Sequence, residues 1–214
     1  MALVVNEIFY SIQGESSYSG CPCVFVRLTG CNLRCTYCDT KYAYADGQPL
    51  EIPEILVRVK AHRCPLVEVT GGEPLIQEET PALISRLLQE GFTVLMETNG
   101  SIEISRVDPR CVRVVDIKCP SSGQMDCNDW ENLDRLSNRD ELKFVIGHRD
   151  DYQYARQVLG TMRHPIGAGR VNFSPVFGVL DSRILAEWIL ADHLEVRLNL
   201  QLHKIIWDPE QRGV

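Results

Sequence analysis

The feature that most constrains this chain is a regular alternation of short, β-rich apolar runs with amphipathic helical runs. Strands are predicted at about 24–28, 65–69, 92–97, 112–117, 141–146 and 171–174, with a shorter one at 194–198. Helices are predicted between them at about 53–62, 80–90, 130–136, 151–159 and 183–190. The second helix shows the pattern best: Leu83, Ile84, Leu87 and Leu88 fall on one face, and Gly91 stops it. Such alternation builds βαβ units and hence a parallel sheet. Ahead of the first core strand, residues 5–12 alternate and break at Gln13-Gly14-Glu15, which predicts a strand or hairpin arm. The expected fold is α/β, a partial parallel βα barrel of about six strands with an N-terminal strand or hairpin extension. The length suits one domain over 1–214, with a core at about 22–200 and a tail at 201–214.

In such sheets ligands sit beyond the C-terminal ends of the strands. Every chemically suggestive motif falls there. Cys31-x3-Cys35-x2-Cys38 follows the first core strand and Thr70-Gly71-Gly72-Glu73-Pro74 the second. Glu97-Thr98-Asn99-Gly100 ends the third and Lys118-Cys119-Pro120 the fourth. Three thiolates that close can converge on one metal centre. A structural zinc wants four protein ligands, yet the next candidates are only His62 and Cys64. Three thiolates would instead leave one iron of a [4Fe-4S] cubane open to a small ligand, unlike the four-cysteine rule of electron carriers. Half a zinc knuckle, or three unrelated thiols, is the bland alternative. A plain glycine turn is the bland reading of Gly71-Gly72.

Composition narrows the partners. A net charge of −7 with no basic stripe argues against nucleic acid as the main ligand. No run approaches a membrane span, and residues 1–7 do not read as a signal peptide. Nine cysteines, an odd count, fit reduced thiols and a cytoplasmic location better than a disulfide framework. Cys64, Cys111 and Cys127 read as small hydrophobes or spectators, and Cys21 and Cys23 as packing residues. His62, His148, His164 and His193 read as surface or cap residues, and His203 is open. For Arg27 an ordinary ion pair is the default, but its strand runs toward Cys31.

The cysteine spacing, with aromatic Tyr37 before the third cysteine, resembles the signature of the radical S-adenosylmethionine (SAM) enzymes. The runs Glu7–Glu15, Phe25–Leu33, Cys38-Asp39-Thr40 and Arg197–Lys204 resemble the 7-carboxy-7-deazaguanine synthases of that superfamily. The resemblance implies a barrel of the radical SAM type and a [4Fe-4S] cluster on Cys31, Cys35 and Cys38. It implies SAM on the open iron as a regenerated cofactor, cleaved to a deoxyadenosyl radical. The implied reaction is ring contraction of 6-carboxy-5,6,7,8-tetrahydropterin with loss of ammonia, on the path to queuosine. Mg2+ is implied on Thr40. SAM contacts are implied at Tyr37, Gly72, Cys119, Pro120, Ser121, Ser174, Pro175, Val176 and Phe177, and Glu73 or its neighbours would accept from the SAM ammonium. Substrate contacts are implied at Ile12, Gln13, Gly14, Arg27, Thr70 and Pro209. A homodimer and an external one-electron donor of the flavodoxin kind are implied as partners. A glycyl-radical enzyme activase shares the cysteine spacing but acts on a protein, and a non-enzymatic cluster or zinc module is the remaining alternative.

Overall fold

The computed structural model describes residues 2–164, 166–167 and 169–214. Nine strands form one sheet: β1 (Ala2–Ile12), β2 (Pro22–Leu28), β3 (Gln48–Glu51), β4 (Leu66–Gly71), β5 (Thr93–Thr98), β6 (Val112–Ile117), β7 (Glu141–Ile146), β8 (Val171–Pro175) and β9 (Arg197–Leu198). Their spatial order is β3-β1-β2-β4-β5-β6-β7-β8-β9. From β2 to β9 every pairing is parallel. The six expected core strands are present, and the seventh, β9, is only two residues long. The extension is the antiparallel part: β1 pairs with β2 along 5–12 and with β3 along 2–5. The sequence reading missed β3, because Gln48-Pro49-Leu50-Glu51 is too short and polar to show a period.

Among the described residues are six α-helices: α1 (Ile52–Ala61), α2 (Thr80–Gln89), α3 (Glu131–Arg135), α4 (Arg149–Thr161), α5 (Ser182–Ala191) and α6 (His203–Ile206). Local chemistry sets their ends. Glu51 and Glu54 form a reciprocal capping box with Pro53 in the first turn of α1. Gly91, at φ +89°, takes the left-handed conformation after α2. Asp181 accepts from the Arg183 amide to start α5.

The two faces of the parallel sheet differ in chemistry. One face carries Val24, Val26, Leu28, Val67, Val69, Val94, Met96, Val115, Ile117, Leu142, Phe144, Ile146 and Phe173, all in the core with Ile55, Leu83, Leu87, Ala155 and Leu185 of the helices. The other face carries Arg27, Glu68, Thr70, Glu97, Asp116 and Lys143, one residue out of phase with the apolar set. Alternation along a strand puts these two sets on opposite sides. The chain therefore spends one face on stability and keeps the other polar. Beyond the core, Arg113 of β6 and Asp140 form a buried ion pair at 2.5 Å, completed by Ser137 and the Arg135 carbonyl.

Candidate active site

The polar face, the loops after the strands and residues 209–214 enclose a cavity of about 630 Å³, within the usual size of small-molecule sites. Cys31, Cys35 and Cys38 all line it. They are half-buried free thiols. Burial pushes Cys31 and Cys35 up, while the Lys118 ammonium acts on both in the opposite sense. A cationic metal centre would supply the rest of the compensation. Among the described residues no three metal-binding side chains close on one ion-sized point. Thiolates on three separate irons need no such point.

The Gly71-Gly72 turn holds the cysteine loop from behind. The Glu73 amide donates to the Gly30 carbonyl at 2.8 Å. A Cβ on Gly72 would collide with that same carbonyl oxygen and lie 2.7 Å from Cys31 Cβ. Gly72 is thus required by the contact between two loops, beside any close approach of a ligand. Glu73 is fully buried, and its carboxylate accepts from Leu75 N (3.0 Å), Thr98 Oγ1 (2.9 Å) and Asn99 N (2.7 Å). That carboxylate staples the ends of β4 and β5 and does not line the cavity. A buried carboxylate needs such donors. Asn99 in turn places its amide 3.9 Å from Cys31 Sγ.

The residues expected at SAM divide into two groups. Tyr37, Gly72, Val176 and Phe177 border the cavity. The Tyr37 hydroxyl and Asp116 Oδ1 are buried with no hydrogen-bond partner among the described residues, and both residues line the cavity. These are polar atoms in want of a ligand. Cys119, Pro120, Ser121, Ser174 and Pro175 stand outside its wall. Cys119 is fully buried, with its thiol against the Ile117 carbonyl. Ser121 gives its hydroxyl to Asp151 at 2.5 Å and accepts Thr36 Oγ1 on its carbonyl at 2.6 Å, which ties this loop to the cysteine loop. Pro120 is exposed, Pro175 pairs with Ile146, and the Ser174 hydroxyl accepts from Asn199.

The residues expected at substrate all line the cavity: Ile12, Gln13, Gly14, Arg27, Thr70 and Pro209. The β1–β2 register sets Glu7 opposite Arg27. Arg27 Nε donates to Glu7 Oε1 at 2.8 Å, and Tyr42 OH donates to the same oxygen at 2.9 Å. The ion pair that was the default reading of Arg27 is therefore present, yet it occupies only Nε. The two terminal nitrogens have no hydrogen-bond partner among the described residues. Gln13 spans Glu68, to which its amide donates, and the Glu15 amide, from which its oxygen accepts at 3.0 Å. Gly14 is needed for packing: a Cβ there would run into the His203 ring of α6. Thr40 lines the cavity and gives its hydroxyl proton to Asp39 Oδ1 at 2.9 Å. Lys204 pins the tail to the cysteine loop through Asp39 Oδ2 at 2.5 Å. Burial disfavours the Asp39 charge, but Lys204 outweighs it and holds the carboxyl well below the usual range.

Sequence reasoning gave no site role to Glu15, Glu68, Asp116 or Lys143, and named Glu97 and Lys118 only as the first residues of loop motifs. The signal for Glu68, Glu97, Asp116 and Lys143 was charge within otherwise apolar strands. Lys143 is buried between Glu15 and Glu97, the latter at 2.7 Å. Burial works against its charge, but Glu15 and Glu97 prevail and push its pKa well up. Lys118 pairs with Asp116 at 2.7 Å. Glu68 has no such cation at contact. Burial, then the charge of Glu97, push it up to about 8, which favours its protonated form at neutral pH.

That shift makes a pH prediction. The folded state holds the Glu68 proton to about pH 8, whereas the unfolded chain releases it near 4.3. The folded state binds more protons across that window, so the contribution of Glu68 to stability falls as pH rises through it. Glu68→Gln keeps the shape without the titration. The variant is expected to gain thermal stability relative to the parent between about pH 5 and 8, read as the difference in Tm. A flat difference would show that Glu68 is ionised in the folded protein.

Comparison with known proteins adds four findings. Residues 25–109 match the model of the Radical SAM superfamily. A 7-carboxy-7-deazaguanine synthase of Chlorobaculum tepidum is 50% identical over 216 residues, spanning 99% of this chain and 97% of that protein. The synthase of the same name from Koribacter versatilis is 45% identical over 226 residues, spanning 98% and 99%. The crystal structure of QueE from Escherichia coli superposes with a TM-score of 0.77 at 24% identity, covering 94% of each chain, which shows the shared fold.

Proposed function

Because the chain belongs to the 7-carboxy-7-deazaguanine synthases, a radical SAM family, we propose that it contracts the ring of 6-carboxy-5,6,7,8-tetrahydropterin to 7-carboxy-7-deazaguanine with loss of ammonia. The observation that carries this reading is a single cavity that holds three thiols of C-x3-C-x2-C spacing together with a half-satisfied arginine and a protonatable carboxyl. The cluster and SAM, when bound, supply the carbon radical that takes a hydrogen atom from C6 of the substrate.

The chain's own residues bind, orient and hold protons. Cys31, Cys35 and Cys38 would ligate three irons. Tyr37, Gly72, Val176 and Phe177 would border SAM, while the 119–121 and 174–175 segments shape that site from behind through Thr36, Asp151 and Asn199. Gln13, Glu68 and Thr70 offer the mixture of donors and acceptors that a pterin edge requires. Ile12, Gly14 and Pro209 close around its body. Lys143 and Glu68 keep protons in the cavity wall, where a departing amine needs one. Thr40 would hold Mg2+ through its one side-chain oxygen, a donor of the kind this hard cation prefers, and the ion would supply positive charge beside the substrate. The proposal extends to a homodimer and to reduction by an external one-electron donor.

The test is anaerobic reconstitution followed by assay with 6-carboxytetrahydropterin, SAM and graded Mg2+. Deazaguanine should form over many turnovers with SAM conserved. Stoichiometric SAM loss without that product would overturn the assignment, as would a glycyl radical appearing on an added protein.

Arg27 carries a sharper expectation. Its free terminal nitrogens can hold both oxygens of the substrate carboxylate. A hydrogen bond to a charged group contributes roughly 1.5–3 kcal/mol, so Arg27→Ala should weaken substrate binding by about ten- to a hundredfold. Arg27→Lys should lose less. Cluster content and SAM binding should persist. Parental affinity in Arg27→Ala would leave the residue as a structural partner of Glu7 alone.

A further inference from the structure

The cations that line the cavity are, with one exception, already engaged. Lys118 is paired with Asp116, Lys143 with Glu15 and Glu97, Lys204 with Asp39, and Arg27 through Nε with Glu7. Arg212 lines the same cavity and has no carboxylate or hydrogen-bond partner among the described residues. Its position is nevertheless defined. Its guanidinium carbon lies 4.0 Å from the centroid of the Tyr42 ring. The guanidinium of Arg27 lies 5.8 Å from that same centroid. The ring is itself held by the Tyr42 OH–Glu7 bond, so Glu7, Tyr42 and Arg27 form a fixed plate on which the tail sets a second arginine.

Stacking uses the face of a guanidinium and leaves its N–H edge free. Two guanidinium groups lie against one ring, at 5.8 and 4.0 Å from its centroid, and positive charge gathered there favours an anion nearby. Glu7 accepts from Arg27 Nε and Tyr42 OH on one oxygen, Oε1, and makes no ion pair with Arg212 among the described residues. The missing partner is an anion with planar, two-oxygen geometry, small enough to enter the cavity mouth.

Resting on the substrate reading above, we propose that Arg212 and Arg27, mounted on the Tyr42 ring, clamp the substrate carboxylate, and that Arg212 makes the cavity select a carboxylated pterin over one without that group. Arg27 comes from a core strand and is in place before binding. Arg212 comes from the tail beyond Pro209 and is exposed, so it adds selectivity that depends on salt. A tail that served only to cover the site would favour both pterins equally.

The experiment measures anaerobic affinity of the reconstituted protein for 6-carboxytetrahydropterin and for tetrahydropterin lacking the carboxylate, at low and high salt. Arg212→Ala should weaken binding of the carboxylated pterin by about tenfold at low salt, and by less at high salt. Arg212→Lys should recover part of the loss. Affinity for the carboxylate-free pterin should stay within about twofold of the parent. Equal losses for the two pterins, or none for either, would overturn the clamp while leaving the substrate reading intact. A parent protein that does not distinguish the two pterins would overturn the substrate reading and the clamp together.

Discussion

Cys35→Ala is expected to abolish SAM cleavage, and Cys31→Ala and Cys38→Ala are expected to do the same. All three thiols face one cavity and no fourth cysteine does. A cubane held by three thiolates already has one open iron, and loss of another leaves two. Neither alanine nor a nearby side chain replaces the ligand. Asn99 has only an amide at Cys31, and the nearby Lys118 is a cation. The other cysteines supply the control. Cys64 is buried against the carbonyls of Pro22 and Leu66, and Cys127 is exposed outside the cavity. Cys64→Ala and Cys127→Ala should retain iron, sulfide and deoxyadenosine formation. Loss of the cluster spectrum in Cys127→Ala, with retention in Cys35→Ala, would place the centre elsewhere.

The second large effect is expected at Gly72→Ala. The added methyl would meet a backbone carbonyl, that of Gly30, which has no rotamer to yield. The loop carrying Cys31 must move or the β4 turn must open. Overpacking of this kind costs about 1–3 kcal/mol of stability. Misplacing a reacting group by an ångström can cost about a hundredfold in rate, and turnover is expected to fall by about that much, beyond what the stability loss explains. Gly160→Ala is the comparison, because nothing lies within 4 Å of a Cβ built there and the residue lies within α4. It should be neutral or slightly stabilising. Iron content, Tm and turnover measured side by side decide the matter. A Gly72→Ala protein with parental turnover would show that the two loops are not tightly braced.

Much of this molecule is legible in one dimension. Apolar period and one glycine stop placed six parallel strands and most of their helices within a few residues, because β2 and β4 to β8 are buried by their own local pattern. The cysteine spacing and the glycine turn identified the loops, because chemistry carried by neighbouring residues stays together however the chain folds. What the sequence withheld is whatever depends on distant segments meeting. The strand β3 forms only because β1 offers it an edge. The roles of Glu73 and Gly72 depend on contacts with Asn99 and Gly30 made across loops. Glu68 and Lys143 read as isolated charges, and Glu97 as the head of a loop motif, until three parallel strands bring them to one face. Their protonation is then set by burial and by one another, a property no single residue possesses. Arg212 lies 185 positions after Arg27 (212 − 27), and only the return of the tail over the sheet sets both on the Tyr42 ring. Local periodicity determined which elements exist and where their reactive loops lie, and tertiary packing decided which charges share a cavity and which remain free to meet a ligand.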